Sequence, residues 1–313
     1  MRFALFGLIF SGCGKEQDDT GTSVTSPDVP GVALAPIDSP SNGECPDMGE
    51  TNTGVFSSAN ADRTVTMVIP QEVTDDMPLV YFFHGLMDPG STPNPTAYMA
   101  SGLGLQRLAD ELGVVFAIPQ SGQMSRMGFN FYMWNVEEPE NADITLFDDL
   151  RACASQTLNI DLNRVHAVGM SGGALFTTVI TRDRGDALAS MVEMSGGSDV
   201  DMLTFDSPLS AYATAAYRVP SLLISGGTTD VWPGGGITLV DFTAATDALA
   251  SQLVEDDHFV VRCEHSSGHA IPMTAMAAAE LWITSHSFDL PSPIQTSGIL
   301  GLSQLDSWCE VLN

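Results

Sequence analysis

Three short stretches of this chain carry residue types that could perform chemistry together. The first is Gly169-Met170-Ser171-Gly172-Gly173, which follows the apolar run Val165 to Val168 and opens a predicted helix at Ala174. Gly-x-Ser-x-Gly between strand and helix is the context that raises a serine onto a tight, strained turn. Side chains at Gly169 and Gly173 would collide with the neighbouring strand and helix, so glycine is required there. The amide of Gly172, at the helix start, can bind a developing oxyanion. A serine alone is a weak nucleophile and needs a base, and the base needs an acid to orient it. Asp230 in Gly226-Gly227-Thr228-Thr229-Asp230 and His269 in Ser267-Gly268-His269 follow later predicted strands, in the order serine, acid, histidine. A second oxyanion donor is expected after an earlier strand, at His84-Gly85-Leu86, where the amide of Leu86 can turn into the site.

Other residues compete for these roles. His265 lies four positions before His269 and closer to its strand; Gly-His-x-x-Pro favours His269, in a turn before a helix. Asp199 and Asp201 follow an earlier strand and are the rivals of Asp230. Ser195 lacks the first glycine of the motif and is read as a loop residue. His84 is read as a structural residue that holds its loop. His166 and His258 lie in or beside strands and are read as structural. His286 closes a helix, where a cation would suit the dipole.

The elements that must position these groups alternate. Arg63 to Ile69, Pro78 to Phe83, Val114 to Ile118, Val165 to Val168, Leu188 to Met194, Ser221 to Ile224 and Phe259 to Cys263 read as strands, several of them apolar throughout. Tyr98 to Leu112, Ile144 to Leu158, Leu239 to Leu253 and Met273 to Ser285 read as helices. That rhythm predicts an α/β domain: a mostly parallel sheet with helices on both faces. It runs over residues 53–286, read as one catalytic domain, with 287–313 a tail that packs back on it.

The quoted segments resemble the α/β-hydrolase fold. The resemblance is strongest to its branch of polyhydroxybutyrate depolymerase-like and feruloyl or acetylxylan esterases, carried also by Asp148-Asp149-Leu150 and by Asn159 to Arg164 running into the serine motif. It covers about residues 60–285. That family usually places Asn or Ala where Gly172 stands, and its acid loop often continues Val-Pro-Tyr where this chain has Val231-Trp232-Pro233. The resemblance implies a cofactor-free, metal-free serine hydrolase acting on carboxylic esters, with peptidase or acyltransferase chemistry as the alternative and a non-catalytic surface lipoprotein as a third reading. Aromatic residues fall in the predicted loops; Trp134 and Trp232 are the expected pocket walls.

Bulk properties limit the partners. The 313 residues carry 39 acidic against 11 basic side chains, a net charge of −28. Such a surface repels nucleic-acid phosphates and anionic membranes. The N-terminus reads as an export signal over residues 1–12: a positive Met1-Arg2, then an apolar stretch to Phe10. Phe10-Ser11-Gly12-Cys13 resembles a lipobox, in which Cys13 would be lipidated and give the only membrane contact; ordinary secretory cleavage nearby, releasing the protein, is the alternative. Residues 13–52 read as a flexible tether rich in Asp, Ser, Thr, Pro and Gly. Export would place Cys45, Cys153, Cys263 and Cys309 in an oxidising compartment, where four cysteines allow three pairings.

Overall fold

In a computed structural model of the protein, residues 32–126, 128–201, 207–234, 237–297 and 308–313 are described. The expected signal segment, Cys13 and the first part of the expected tether lie outside the described residues.

The strands are β1 (Asn52–Ser58), β2 (Ala61–Val68), β3 (Met77–Phe83), β4 (Val115–Pro119), β5 (Gln123–Arg126), β6 (Phe129–Tyr132), β7 (Ile160–Met170), β8 (Ser190–Met194), β9 (Ser221–Ser225), β10 (Val231–Gly234), β11 (Ile237–Asp241), β12 (Val260–Glu264) and β13 (Cys309–Val311). The helices are α1 (Pro95–Gly102), α2 (Leu105–Leu112), α3 (Ala142–Thr157), α4 (Gly172–Arg184), α5 (Phe242–Glu255), α6 (Met273–Ser285) and α7 (Pro293–Ser297). Among the described residues, nine strands form one sheet in the order β1-β2-β4-β3-β7-β8-β9-β12-β13. The run from β4 to β12 is parallel, while β1, β2 and β13 pair antiparallel at its edges. Two hairpins, β5–β6 and β10–β11, stand apart from it.

The central strands are buried along their whole length; β3 and β4 are apolar throughout, as burial on both faces favours, whereas β8 and β9 also bury Ser190, Glu193, Ser221 and Ser225. Alternate residues serve opposite faces. Leu79, Tyr81 and Phe83 of β3 join a core with α3, α4 and α5, while Val80 and Phe82 join one with α1, α2 and α6. The predicted helix over 98–112 is two helices. Gly104, at φ +63°, adopts a left-handed conformation that a side chain disfavours, and it caps α2. The helix expected from Leu239 starts at Phe242, because the Asp241 carboxylate accepts from the Ala244 amide and fixes the N-terminus there.

Residues 32–52, the end of the expected tether, lie along the domain. Arg151 donates to the carbonyls of Ala35 and Pro36, and Ser41 donates to Asp149. Cys45 is bonded to Cys153 of α3, and Cys263 of β12 to Cys309 of β13. The second bridge and the β13 pairing fasten the end of the C-terminal tail to the sheet. Among the described residues no helix is long and apolar enough to cross a membrane.

Candidate active site

Parallel strands all point their carboxyl ends to one rim of the sheet, so loops leaving them converge there. The chain also reverses its direction of growth at β3: β4 is laid on one side of it and β7 on the other. Such a switch point opens a crevice at the rim. The loop after β3 carries Gly85 and Leu86, and the turn after β7 carries Ser171.

Ser171 sits between β7 and α4 at φ +56°, ψ −123°, a conformation seldom adopted outside glycine. The surrounding glycines leave the turn no slack. A Cβ on Gly169 would come within 2.3 Å of the Gly173 carbonyl, and one on Gly173 within 2.0 Å of the Phe83 carbonyl. Gly85 is pressed onto the serine itself: its Cβ would lie 3.1 Å from that of Ser171.

The three side chains expected to meet do meet. His269 Nε2 is 2.9 Å from Ser171 Oγ, and His269 Nδ1 is 2.7 Å from Asp230 Oδ1. The other carboxylate oxygen of Asp230 accepts the Gly226 amide at 2.7 Å. Burial pushes the Asp230 carboxyl up, but hydrogen bonds from His269 and Gly226, with a contribution from the Ser195 hydroxyl, outweigh it and hold the group below the usual carboxylate value. An ionised carboxylate only accepts, so the proton lies on Nδ1 and Nε2 is free to accept from the serine hydroxyl. The acid and histidine loops are in backbone contact: a Cβ on Gly226 would come within 2.0 Å of the Gly268 carbonyl.

The expected oxyanion amides adjoin one another. Leu86 N lies 3.4 Å from where a Cβ of Gly172 would stand, and the Gly172 amide belongs to the first turn of α4, where helical partners are lacking. Met133 fills the remaining space, its Sδ 2.8 Å from that same Cβ position. A side chain at Gly172 would therefore have to displace Met133. His84 is fully buried, and burial lowers its pKa to about 4. As a neutral ring it donates from Nδ1 to the Gly85 carbonyl (2.6 Å) and accepts at Nε2 from the Ser121 amide (3.1 Å). It therefore holds the loop that presents Leu86.

The rivals lie elsewhere. His265 Nδ1 accepts from the Ser267 amide, and its ring faces Trp308. Asp199 accepts from the Tyr212 amide and the Gln252 side chain. His166 pairs with Ser190 and His258 with the Val219 carbonyl. The expectation of a cationic His286 is corrected: burial lowers its pKa to about 4, and as a neutral ring it donates to the Trp282 carbonyl.

Trp134 is also corrected as a pocket wall. It is fully buried, its indole N–H donates to the His84 carbonyl (2.8 Å), and its ring stacks on Phe176 with centroids 4.7 Å apart. It is a core residue beneath the oxyanion loop. Trp232, two residues beyond Asp230, is half-buried on β10. Sequence reasoning missed Phe242, whose ring stacks on His269, and the placement of Ser195 beside Asp230. No motif marks either; the signal for Phe242 is only its position at the end of the hairpin that follows the acid. Beside Leu86 lies an open groove of about 470 Å³, lined by Asp88, Pro89 and the β5–β6 residues Phe129 and Phe131 among others. Among the described residues no cluster of His, Cys, Asp or Glu is arranged to hold a metal ion.

No family model matches the chain. The crystal structure of native pOPH superposes with a TM-score of 0.63 over 86% of this chain and 96% of that one, at 17% identity. A substrate-bound fluorophosphonate-binding serine hydrolase of Staphylococcus aureus, FphF, gives 0.52 over 74% and 97%, at 12% identity. The chain has the α/β-hydrolase fold. Within that fold, a stretch of 140 residues is 30% identical to poly(3-hydroxyalkanoate) depolymerase C of Paucimonas lemoignei. The match spans 41% of this chain and 30% of that protein's length.

Proposed function

We propose that this chain is an exported serine hydrolase that cleaves carboxylic esters through an acyl-enzyme. Ser171 Oγ attacks the ester carbonyl while its proton passes to His269 Nε2. The amides of Leu86 and Gly172 receive the oxyanion; one such donor is worth roughly 3–4 kcal/mol. The tetrahedral intermediate collapses, His269 returns the proton to the leaving alcohol, and the acyl group stays on Ser171. Water, deprotonated by His269, then releases the acid. Asp230 fixes the tautomer of His269 and stabilises its cation. The cycle requires no cofactor.

The observation that carries this reading is the unbroken contact from Asp230 through His269 to Ser171, with both candidate oxyanion amides beside the serine. The likeness to a polyhydroxyalkanoate depolymerase supports a polyester, or a feruloyl or acetyl carbohydrate ester, as substrate. The groove beside Leu86 and the half-buried Trp232 offer room for a bulky chain or ring. Export is supported by the N-terminal pattern and the two disulfides. Cys13 is the proposed lipid attachment, which the mass of the mature N-terminus tests.

Purified protein and Ser171→Ala should be compared on p-nitrophenyl esters, feruloyl esters, acetylated xylan, polyhydroxybutyrate and short peptides. Ester turnover abolished by the substitution is expected. Turnover of peptides alone would favour a peptidase, and no turnover at all a non-catalytic role.

A further inference from the structure

Behind the rim, β8 carries a glutamate in the middle of the sheet. Glu193 is fully buried, with Gly169 of β7 and Leu223 of β9 as its register neighbours. Its Oε2 accepts the Gly197 amide at 2.8 Å, and its Oε1 is in short contact with Thr178 Oγ1 of α4. Thr178 Oγ1 also lies 3.0 Å from the Gly197 carbonyl. A hydroxyl has one proton, and both a carbonyl and an ionised carboxylate only accept. With Glu193 ionised, one of the two contacts at Thr178 would set two oxygens together with no hydrogen between them. A proton on Oε1 completes the ring: Glu193 donates to Thr178, Thr178 to the Gly197 carbonyl, and the Gly197 amide to Glu193.

We propose that Glu193 is a positioning residue, carried as the neutral acid, that locks the 195–198 loop joining the nucleophile to the acid. The strand end that leads into that loop, and the loop itself, adjoin the elements that carry the catalytic groups. Ser171 N–H donates to the carbonyl of Met194, the last residue of β8 (2.9 Å), and Ser195 N–H donates to that of Ile224 in β9 (2.7 Å), the strand that precedes the acid loop. A Cβ on Gly197 would come within 2.2 Å of the Ala245 backbone in α5, the helix whose Phe242 stacks on His269. A Cβ on Gly196 would meet Glu193 Oε2 at 2.5 Å and Ala174 of α4 at 2.6 Å. With walls this close, a displaced Glu193 must move the loop.

The surroundings are consistent with a neutral carboxyl. From α4 the neighbours are Thr178 and Ala174, from its own strand's loop Gly196 and Gly197, and none of these titrates. Burial raises the carboxyl to about 8, opposed in part by the Thr178 and Gly197 hydrogen bonds. An unfolded glutamate titrates near 4.5. The folded state therefore binds the extra proton between these values. Its stabilising effect is complete below about pH 4.5, declines up to about pH 8 and is lost above.

Glu193→Gln separates the neutral ring from the ionisable group, because its amide can donate to Thr178 and accept from Gly197 but cannot ionise. The Tm of the full chain should be followed from pH 4 to 10 for wild type and E193Q, which needs no substrate. The expected result is a gap in favour of E193Q that opens between pH 4.5 and 8 and stays constant above. Parallel curves would overturn the neutral acid whether or not any ester is cleaved. The positioning role rests on the ester-hydrolase reading and is read from kcat on a p-nitrophenyl ester. Wild-type kcat should fall reversibly above about pH 8 and that of E193Q should not. E193A and T178V should lose about tenfold or more with KM little changed, a loss that E193Q largely rescues. An alkaline fall shared by wild type and E193Q, or equal losses in E193Q and E193A, would overturn the positioning role.

Discussion

The imidazole of His269 lies against the ring of Phe242, with centroids 4.4 Å apart and planes 19° from parallel. Asp230 and Ser171 fix the two ends of the imidazole, and Phe242 fixes its plane. An aromatic pair contributes about 0.5–1.5 kcal/mol beyond its buried area. Phe242→Leu keeps the apolar volume and removes the stack. It should lower kcat up to about tenfold with KM nearly unchanged, as steady-state kinetics on a p-nitrophenyl ester would show. An unchanged kcat would mean that the two hydrogen bonds suffice to orient the ring.

The two tryptophans first read as pocket walls should separate cleanly. Trp134→Ala removes a fully buried ring and should cost about 3–5 kcal/mol in denaturant unfolding. Trp232→Ala should alter KM or the ranking of esters while changing stability far less. Equal stability losses would place Trp232 in the core as well.

Asp230 links the site to acid stability. Its folded carboxyl is held below the ordinary value, so it stabilises the fold above about pH 3.8, an effect lost as pH falls through the lower, folded value. The Tm advantage of wild type over Asp230→Asn should therefore shrink as pH falls below about 4. At neutral pH the same substitution should reduce kcat by about 10⁴, since the wrong histidine tautomer is then stabilised. A Tm gap that does not depend on pH would contradict the assigned charge.

The disulfides close loops of different length, with separations of 108 residues for Cys45–Cys153 and 46 for Cys263–Cys309. Loop entropy alone gives about 5 and about 4 kcal/mol respectively. Double serine variants should both melt lower than wild type, the Cys45/Cys153 pair more so, in scans without reductant. The reverse order would show that anchoring β13 outweighs loop closure.

The parts of the site that were legible in the sequence are those where sterics dictate the residue type. Gly169 and Gly173 are read directly because no side chain fits between β7, α4 and the Phe83 carbonyl. Strands such as β3 and β4 are read because burial on both faces favours continuous apolar sequence. Trp134 was misread because an aromatic residue near a predicted loop looks alike whether it lines a pocket or fills the core beneath one. His286 was misread because a helix-terminal histidine suggests a cation, whereas burial makes it neutral. The hairpins β5–β6 and β10–β11 carry no clear alternation, and β13 is recruited by pairing with β12 and by a disulfide. The Phe242 stack and the Glu193 ring exist only through tertiary packing, so no local pattern announces them.

The central claim is that Ser171 becomes covalently acylated. The most direct measurement is the intact mass of the protein after a fluorophosphonate and, separately, after rapid quenching with a p-nitrophenyl ester. The account predicts one adduct per chain, mapped to Ser171, absent from Ser171→Ala and formed far more slowly in His269→Ala. Labelling that persists in Ser171→Ala, or ester turnover without any adduct on Ser171, would contradict it.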